Sequence, residues 1–172
     1  MLRRGTPDQT RTAVLTGQPS FPWRFCTENE DLQTAGGEWH PIPNEFDTLA
    51  EILHDADYTT GLVSDVYQMF KPTMNLTRGL LSWRFIRGQE NDGYRSGPVA
   101  RVDLSAHAPE DDPDHADHPA ILQYLLNMLD CQEGEEHYLA ASVFRTAARW
   151  VEDNRHSQPF FLWVVSFSPH EL

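Results

Sequence analysis

The sequence predicts an α/β fold in which a mostly parallel β-sheet is flanked by helices. Apolar residues recur at helical spacing just before a run of β-branched and aromatic residues at 58–63, which indicates a helix joined to a strand by a short turn. The continuously apolar run at 160–165 is typical of a strand buried on both faces of a parallel sheet. The 172 residues are enough for one domain with its own core, and we expect a single domain over 1–172.

The N-terminal part contains one ambiguous segment and one clear helix. Residues 12–16, ended by Gly17, suit either a helix or a brief strand, and residues 18–47 are predicted to form a long irregular loop. Thr48 and Glu51 match a capping box, so a helix is expected to begin there. Its expected apolar face consists of Leu49, Ile52, Leu53 and Ala56.

The middle of the chain has little periodicity, and two helices are predicted after it. Residues 84–87 alternate and suit a strand or a turn, whereas residues 109–119 form an acidic loop with two histidines. Pro119 is well placed at the start of a helix. The expected apolar stripe of this helix is Ile121, Leu122, Leu125, Leu126 and Leu129. That of the next helix is Tyr138, Ala141, Phe144, Ala148 and Val151.

Two loops are candidate site loops because ligands of α/β sheets bind beyond the carboxyl ends of strands. They are residues 64–72 and 166–172. The second contains His170, whose imidazole is able to donate a proton to a leaving oxygen or to bind an anionic ester. An exposed loop histidine without a catalytic role is the alternative. The acidic residues at 111–118 suit a solvated loop better than a metal site, since their spacing matches no defined motif.

Composition excludes several classes of partner. The net charge of −13 repels phosphate backbones, so no nucleic-acid partner is expected. No apolar run approaches the roughly 20 residues of a membrane span, and no signal peptide is visible. We therefore expect no membrane partner; the compartment stays unknown, with the cytoplasm as the default. Two cysteines are too few for a disulfide framework.

Four segments, in order along nearly the whole chain, resemble a known family. Residues 11–17 (RTAVLTG) are similar to the second half of the signature C/S-x-P-x-R-x-x-x-L-T-G of sulfatases. The other segments lie at 48–53 with 57–63, at 83–90, and at 159–164 with 167–170. The resemblance implies an alkaline-phosphatase-like three-layer sandwich, of which this chain would form part, and hydrolysis of sulfate esters of small molecules or carbohydrates.

The resemblance also assigns site residues. Arg11 matches the signature arginine, which binds the nucleophile and anionic groups, and His170 matches the strand-end histidine that contacts the sulfate. Sulfatases oxidise a cysteine or serine to formylglycine, but the matching position is Pro7, which cannot be converted. Thr6, one residue away, is the candidate hydroxyl.

The resemblance implies a divalent cation, usually calcium, whose ligands in the family would fall before residue 1 and after residue 172. We therefore expect a single incomplete catalytic domain over 1–172, a central fragment that is inactive on its own. Two alternatives remain open: a degenerate, non-catalytic homologue that binds anionic esters or a partner, and a phosphate or phosphonate ester hydrolase on the same scaffold.

Overall fold

A computed structural model of the protein describes residues 7–18, 41–89, 92–103, 119–129 and 134–168. Four α-helices lie in these ranges: α1 (Pro7–Thr16), α2 (Leu49–Asp55), α3 (Pro119–Asn127) and α4 (Leu139–Asp153). Three strands accompany them: β1 (Thr59–Ser64), β2 (Ser82–Phe85) and β3 (Phe160–Val165). Short 3-10 helices occur at Tyr67–Phe70, Val99–Arg101 and Glu135–His137. The ambiguous segment at 12–16 is therefore helical, and the first two residues of the alternating segment 84–87 belong to strand β2.

The strands form one parallel sheet in the order β2-β1-β3, flanked by helices, which confirms the predicted α/β fold. The residues on either side of β2 also bond to β1: the Leu81 amide donates to the Thr60 carbonyl, and the Ile86 amide donates to the Ser64 carbonyl. β1 is central and buried at every position except Thr59. The expectation that 160–165 is buried on both faces is wrong for the described part of the chain. There β3 is half-buried throughout, because β1 is its one neighbour among the described strands.

The described residues belong to two compact units, and the division crosses the strands. The first unit comprises Met1–Gly61, Gln68–Trp83 and His156–Phe161, and the second comprises Leu62–Tyr67, Arg84–Arg155 and Leu162–Leu172.

In the first unit, the start of α2 has the predicted capping box. The Thr48 hydroxyl accepts a hydrogen bond from the Glu51 amide at 3.2 Å, and a Glu51 carboxylate oxygen accepts one from the Thr48 amide at 2.8 Å. Arg78 forms an ion pair with the same carboxylate at 2.9 Å. Burial by itself would raise the pKa of Glu51, but the hydrogen bonds from Thr48 and the charge of Arg78 lower it overall.

The buried side of α2 differs from the expected one. Ala50 is buried, whereas Ile52 is 56% exposed and Ala56 is also exposed. Gly79 explains the difference, since a Cβ added there would be 2.5 Å from the carbonyl carbon of Ala50. Because the Gly79 turn lies so close to α2, the side of the helix that faces it accommodates only a small residue such as Ala50. The larger Ile52 lies on another side of the helix.

In the second unit, α4 packs on the sheet through a face other than the predicted one. Val63, Val143 and Ala147 form the core, with Ile86, Leu162 and Val164 packed against it. Four of the five residues of the predicted stripe are exposed instead, with Tyr138 at 50% and Phe144 at 61%, and Ala141 is half-buried. Both faces of α4 carry apolar residues at helical spacing, so periodicity does not distinguish them. The face that packs on the sheet is the one with the smaller side chains, Val143 and Ala147.

Candidate functional site

A buried carboxylate joins the loops that follow β1 and β3. Asp65 comes directly after β1 and is fully buried. Its Oδ1 accepts a hydrogen bond from the Phe167 amide at 2.7 Å, and its Oδ2 lies 3.4 Å from the Ser166 hydroxyl that donates to it. The two loops indicated by the strand-end rule are therefore in direct contact at the carboxyl edge of the sheet.

A second side chain reaches the same loop from another part of the chain. Gln89 is 2% exposed, and its Nε2 donates a long hydrogen bond of 3.4 Å to the Ser168 hydroxyl. Within the described ranges no donor is found for the buried Oε1 of Gln89. Three consecutive residues, 166 to 168, thus contact two buried polar side chains.

An ion pair fixes the turn that carries Gln89. Arg87 donates through Nε and Nη2 to the two carboxylate oxygens of Asp92, at 2.7 and 2.6 Å. The Gly88 amide donates to the same carboxylate at 2.8 Å, and Asp92 is fully buried. Gly88 has a φ of 118°, a conformation that side-chain-bearing residues rarely adopt. The bidentate pair closes the turn around Gln89.

Helix α3 and two aromatic rings support this turn. Asn127 of α3 donates to the Asp92 carbonyl at 2.8 Å. The Arg87 guanidinium lies 5.4 Å from the ring centroids of both Phe85 and Tyr94. Hydrogen bonding to Asp92 outweighs the opposing effect of burial and raises the pKa of Arg87. Because Asp92 compensates its charge, Arg87 has a structural role and is a poor candidate for binding an anionic ester.

The predicted site residues are only partly within the described ranges. Arg11 lies on α1 and is half-buried. Thr6 and His170 lie outside the described residues, as do the acidic residues 111–118. His170 follows Ser168 by two positions, so the contacts of Asp65 and Gln89 act on the residues immediately before it. The catalytic assignments of Arg11, Thr6 and His170 remain predictions.

The described residues do not fit a metal centre. Among them, no group of three or more His, Cys, Asp or Glu side chains is arranged to hold a metal ion. The two buried carboxylates accept hydrogen bonds from the chain itself, Asp65 from Phe167 and Asp92 from Arg87. No helix in the described parts of the chain combines the length and apolar character needed to cross a membrane.

Asp65 and Gln89 were missed as site residues, for different reasons. Asp65 could have been found, since it is a charged residue directly after an apolar strand and the strand-end rule applies to it. Gln89 lies in a stretch without periodicity, and its contact with Ser168 spans 79 positions. No spacing in the sequence indicates that contact.

Comparison with known proteins identifies the family. The family described as Sulfatase matches residues 7–172. No curated protein and no solved structure matched the chain. The matched range includes the segment of Arg11, the capped helix, the turn of Gln89 and the loop after β3. Sulfatases act on sulfated substrates and generally bind a metal. Because the match covers nearly all of the chain, the protein belongs to the sulfatase family.

Proposed function

We propose that the protein takes part in the hydrolysis of sulfate esters, with a sulfated small molecule or carbohydrate as substrate. The observation that carries this proposal is the family match over residues 7–172. By resemblance, Arg11 matches the arginine of the family signature and His170 the histidine that follows a strand end in the family. On this proposal, residues 1–172 belong to one catalytic domain.

The proposed chemistry requires charge compensation, because a sulfate monoester is anionic and repels an oxygen nucleophile. Arg11 would bind the sulfate oxygens through its guanidinium, which presents several donors in a fixed plane. His170 would donate a proton to the ester oxygen as the sulfur–oxygen bond breaks, so that the leaving group departs as a neutral alcohol. The Thr6 hydroxyl is the candidate nucleophile at sulfur: its oxygen would bond to sulfur as the ester bond breaks, and its proton would pass to water. A second water would then displace sulfate from Thr6 and restore the hydroxyl.

Calcium is the cation that the resemblance implies. Among the described residues no ligand cluster for it is found.

A second function has one specific observation in its favour. Pro7 occupies the position four residues before Arg11, where the family places the residue that becomes formylglycine. Proline has no oxidisable Cβ–oxygen or Cβ–sulfur group and cannot take that role. Pro7 supports a non-catalytic protein that binds anionic esters or a partner without turnover.

Site-directed variants of the protein expressed from its full reading frame test the proposal. We expect Arg11→Ala to lower kcat/KM for an aryl sulfate by about 10²–10³-fold, and His170→Ala by about 10²–10⁴-fold. Arg149→Ala and His54→Ala are matched controls, because both residues are exposed on helices and have no proposed role. Turnover that is insensitive to Arg11→Ala and His170→Ala would contradict these assignments. Tight binding of the aryl sulfate without turnover would favour the non-catalytic alternative.

A further inference from the structure

We infer that Asp65 and Gln89 are positioning residues, which hold the segment 166–168 from two sides in the loop that leads to His170. The inference rests on the proposed role of His170. Neither side chain is assigned to contact the substrate. Both would act through three of the four residues that lie between β3 and the histidine in the sequence.

Asp65 is the stronger of the two contacts. A fully buried carboxylate is costly in free energy unless hydrogen bonds compensate its lost hydration. At 2.7 Å, the bond from the Phe167 amide is a short, charge-assisted one. Asp65 follows the central, most buried strand, so it is anchored in the most rigid part of the sheet. A rigid charged acceptor fixes the backbone of Phe167 in direction as well as in distance.

Gln89 restrains the next residue along the loop. Its bond to Ser168 is long, and the buried Oε1 has no hydrogen-bond donor among the described residues. A buried carbonyl oxygen without a donor destabilises the folded state. The turn nevertheless holds Gln89 in place through the ion pair of Arg87 with Asp92. The Gln89 side chain is therefore expected to contribute little to the free energy of unfolding. An apolar side chain of similar size would lack only the contact with Ser168.

His170 follows the held segment closely in sequence, which connects these contacts to the proposed role of its imidazole. Two residues of extended chain reach at most about 7 Å from a restrained Ser168. Without the contacts at Phe167 and Ser168, the loop gains freedom just before the histidine. A misplacement of about 1 Å in a reacting group lowers a rate by up to roughly 100-fold.

Hydrogen exchange of the Phe167 amide in the 172-residue chain tests the inference without any activity. We expect Asp65→Ala to speed this exchange at least 10-fold relative to the Ile86 amide, which bonds to Ser64 in the sheet. Asp65→Asn should give a smaller acceleration, because an amide oxygen still accepts the bond. Asp153→Asn, on the exposed surface of α4, is the matched control and should change nothing.

Unchanged Phe167 exchange in Asp65→Ala would overturn the inference. If Asp65→Ala does not fold, Asp65→Asn decides in its place: faster Phe167 exchange supports the inference, and a wild-type rate refutes it. Gln89→Leu should leave the denaturation midpoint unchanged or raised and still speed exchange at Ser168. A lowered midpoint with wild-type exchange at Ser168 would show that Gln89 is merely structural.

Kinetics of the protein expressed from its full reading frame supply the second readout. We expect Asp65→Asn and Gln89→Leu to lower kcat for an aryl sulfate about 10–100-fold, with KM changed less than twofold. A larger effect on KM than on kcat would indicate substrate contact and overturn the positioning role. If the wild-type protein shows no turnover, the proposed function fails, whereas the exchange experiment still decides whether the loop is held.

Discussion

Replacing Gly79 with alanine should strongly destabilise the protein, because the added methyl group has no space. Gly79 has a φ of 74° and lies against the first turn of α2. A Cβ there would be 2.2 Å from the amide nitrogen of Glu51 and 2.5 Å from the carbonyl carbon of Ala50. These are backbone atoms of a helix, so no side-chain rotation relieves the overlap.

The size of the effect follows from two contributions. The left-handed conformation costs an alanine about 1–2 kcal/mol. To relieve the overlap, the turn must also move away from α2 by about 1 Å, since non-bonded carbon atoms prefer 3.5–4.0 Å. That movement weakens the bond from the Thr48 hydroxyl to the Arg78 carbonyl and the one from the Thr60 hydroxyl to the Gly79 carbonyl. At about 1 kcal/mol each, the total loss is about 3–4 kcal/mol.

Urea denaturation, monitored by circular dichroism, measures this loss. Gly17→Ala is the matched control, because Gly17 has a φ of 65° with no atom within 4 Å of the added Cβ. It should lose only the conformational contribution of about 1–2 kcal/mol. Equal midpoints for Gly79→Ala and Gly17→Ala would refute the close approach of the turn to α2.

Three further predictions concern hydrogen-bonded groups. Thr48→Ala removes the cap of α2 and should lower the free energy of unfolding by about 0.5–2 kcal/mol in urea denaturation. The pKa of Glu51 is lowered on folding, so its stabilisation is complete above its ordinary value of 4.5 and decreases as the pH falls through the lower, folded value. Glu51→Gln should therefore reduce the slope of unfolding free energy against pH in that acidic range, and an unchanged slope would contradict the shift. Asp92→Ala leaves the Arg87 guanidinium, which is 46% exposed, to be hydrated, so we expect a loss of roughly 1–3 kcal/mol by urea denaturation rather than complete unfolding.

Local signals predict the fold well where the structure depends on neighbours in sequence. The capping box of Thr48 and Glu51 involves residues three positions apart, and the structure contains both of its bonds. The apolar run at 160–165 does form a strand. Its partial burial is not predictable in this way, because strand order depends on pairing between distant segments.

Packing against distant residues explains the errors. Helix α4 has apolar residues on two faces, and the choice of Val143 over Phe144 depends on the shape of the sheet. The exposed Ile52 depends likewise on the approach of Gly79 to α2. The spacing of apolar residues along a helix identifies neither the sheet that packs on α4 nor the Gly79 turn that packs on α2.

The candidate site shows the same division. Strand ends indicate both loops, since that rule needs only the strands themselves. The contact that joins them, between Asp65 and Phe167, spans 102 positions and has no signal in local spacing. The turn of Gln89 is recognisable in the sequence only as part of a segment that resembles sulfatases, and the ion pair that closes it appears only in three dimensions.

Sulfate release from an aryl sulfate, by the purified protein expressed from its full reading frame, tests the proposed activity most directly. The proposal of a sulfate ester hydrolase predicts sulfate release that is reduced at least about 100-fold in Arg11→Ala and is unchanged in Arg149→Ala. The matched aryl phosphate should be hydrolysed more slowly than the sulfate. Hydrolysis of the phosphate without release of sulfate, or sulfate release that survives Arg11→Ala, would contradict the proposal.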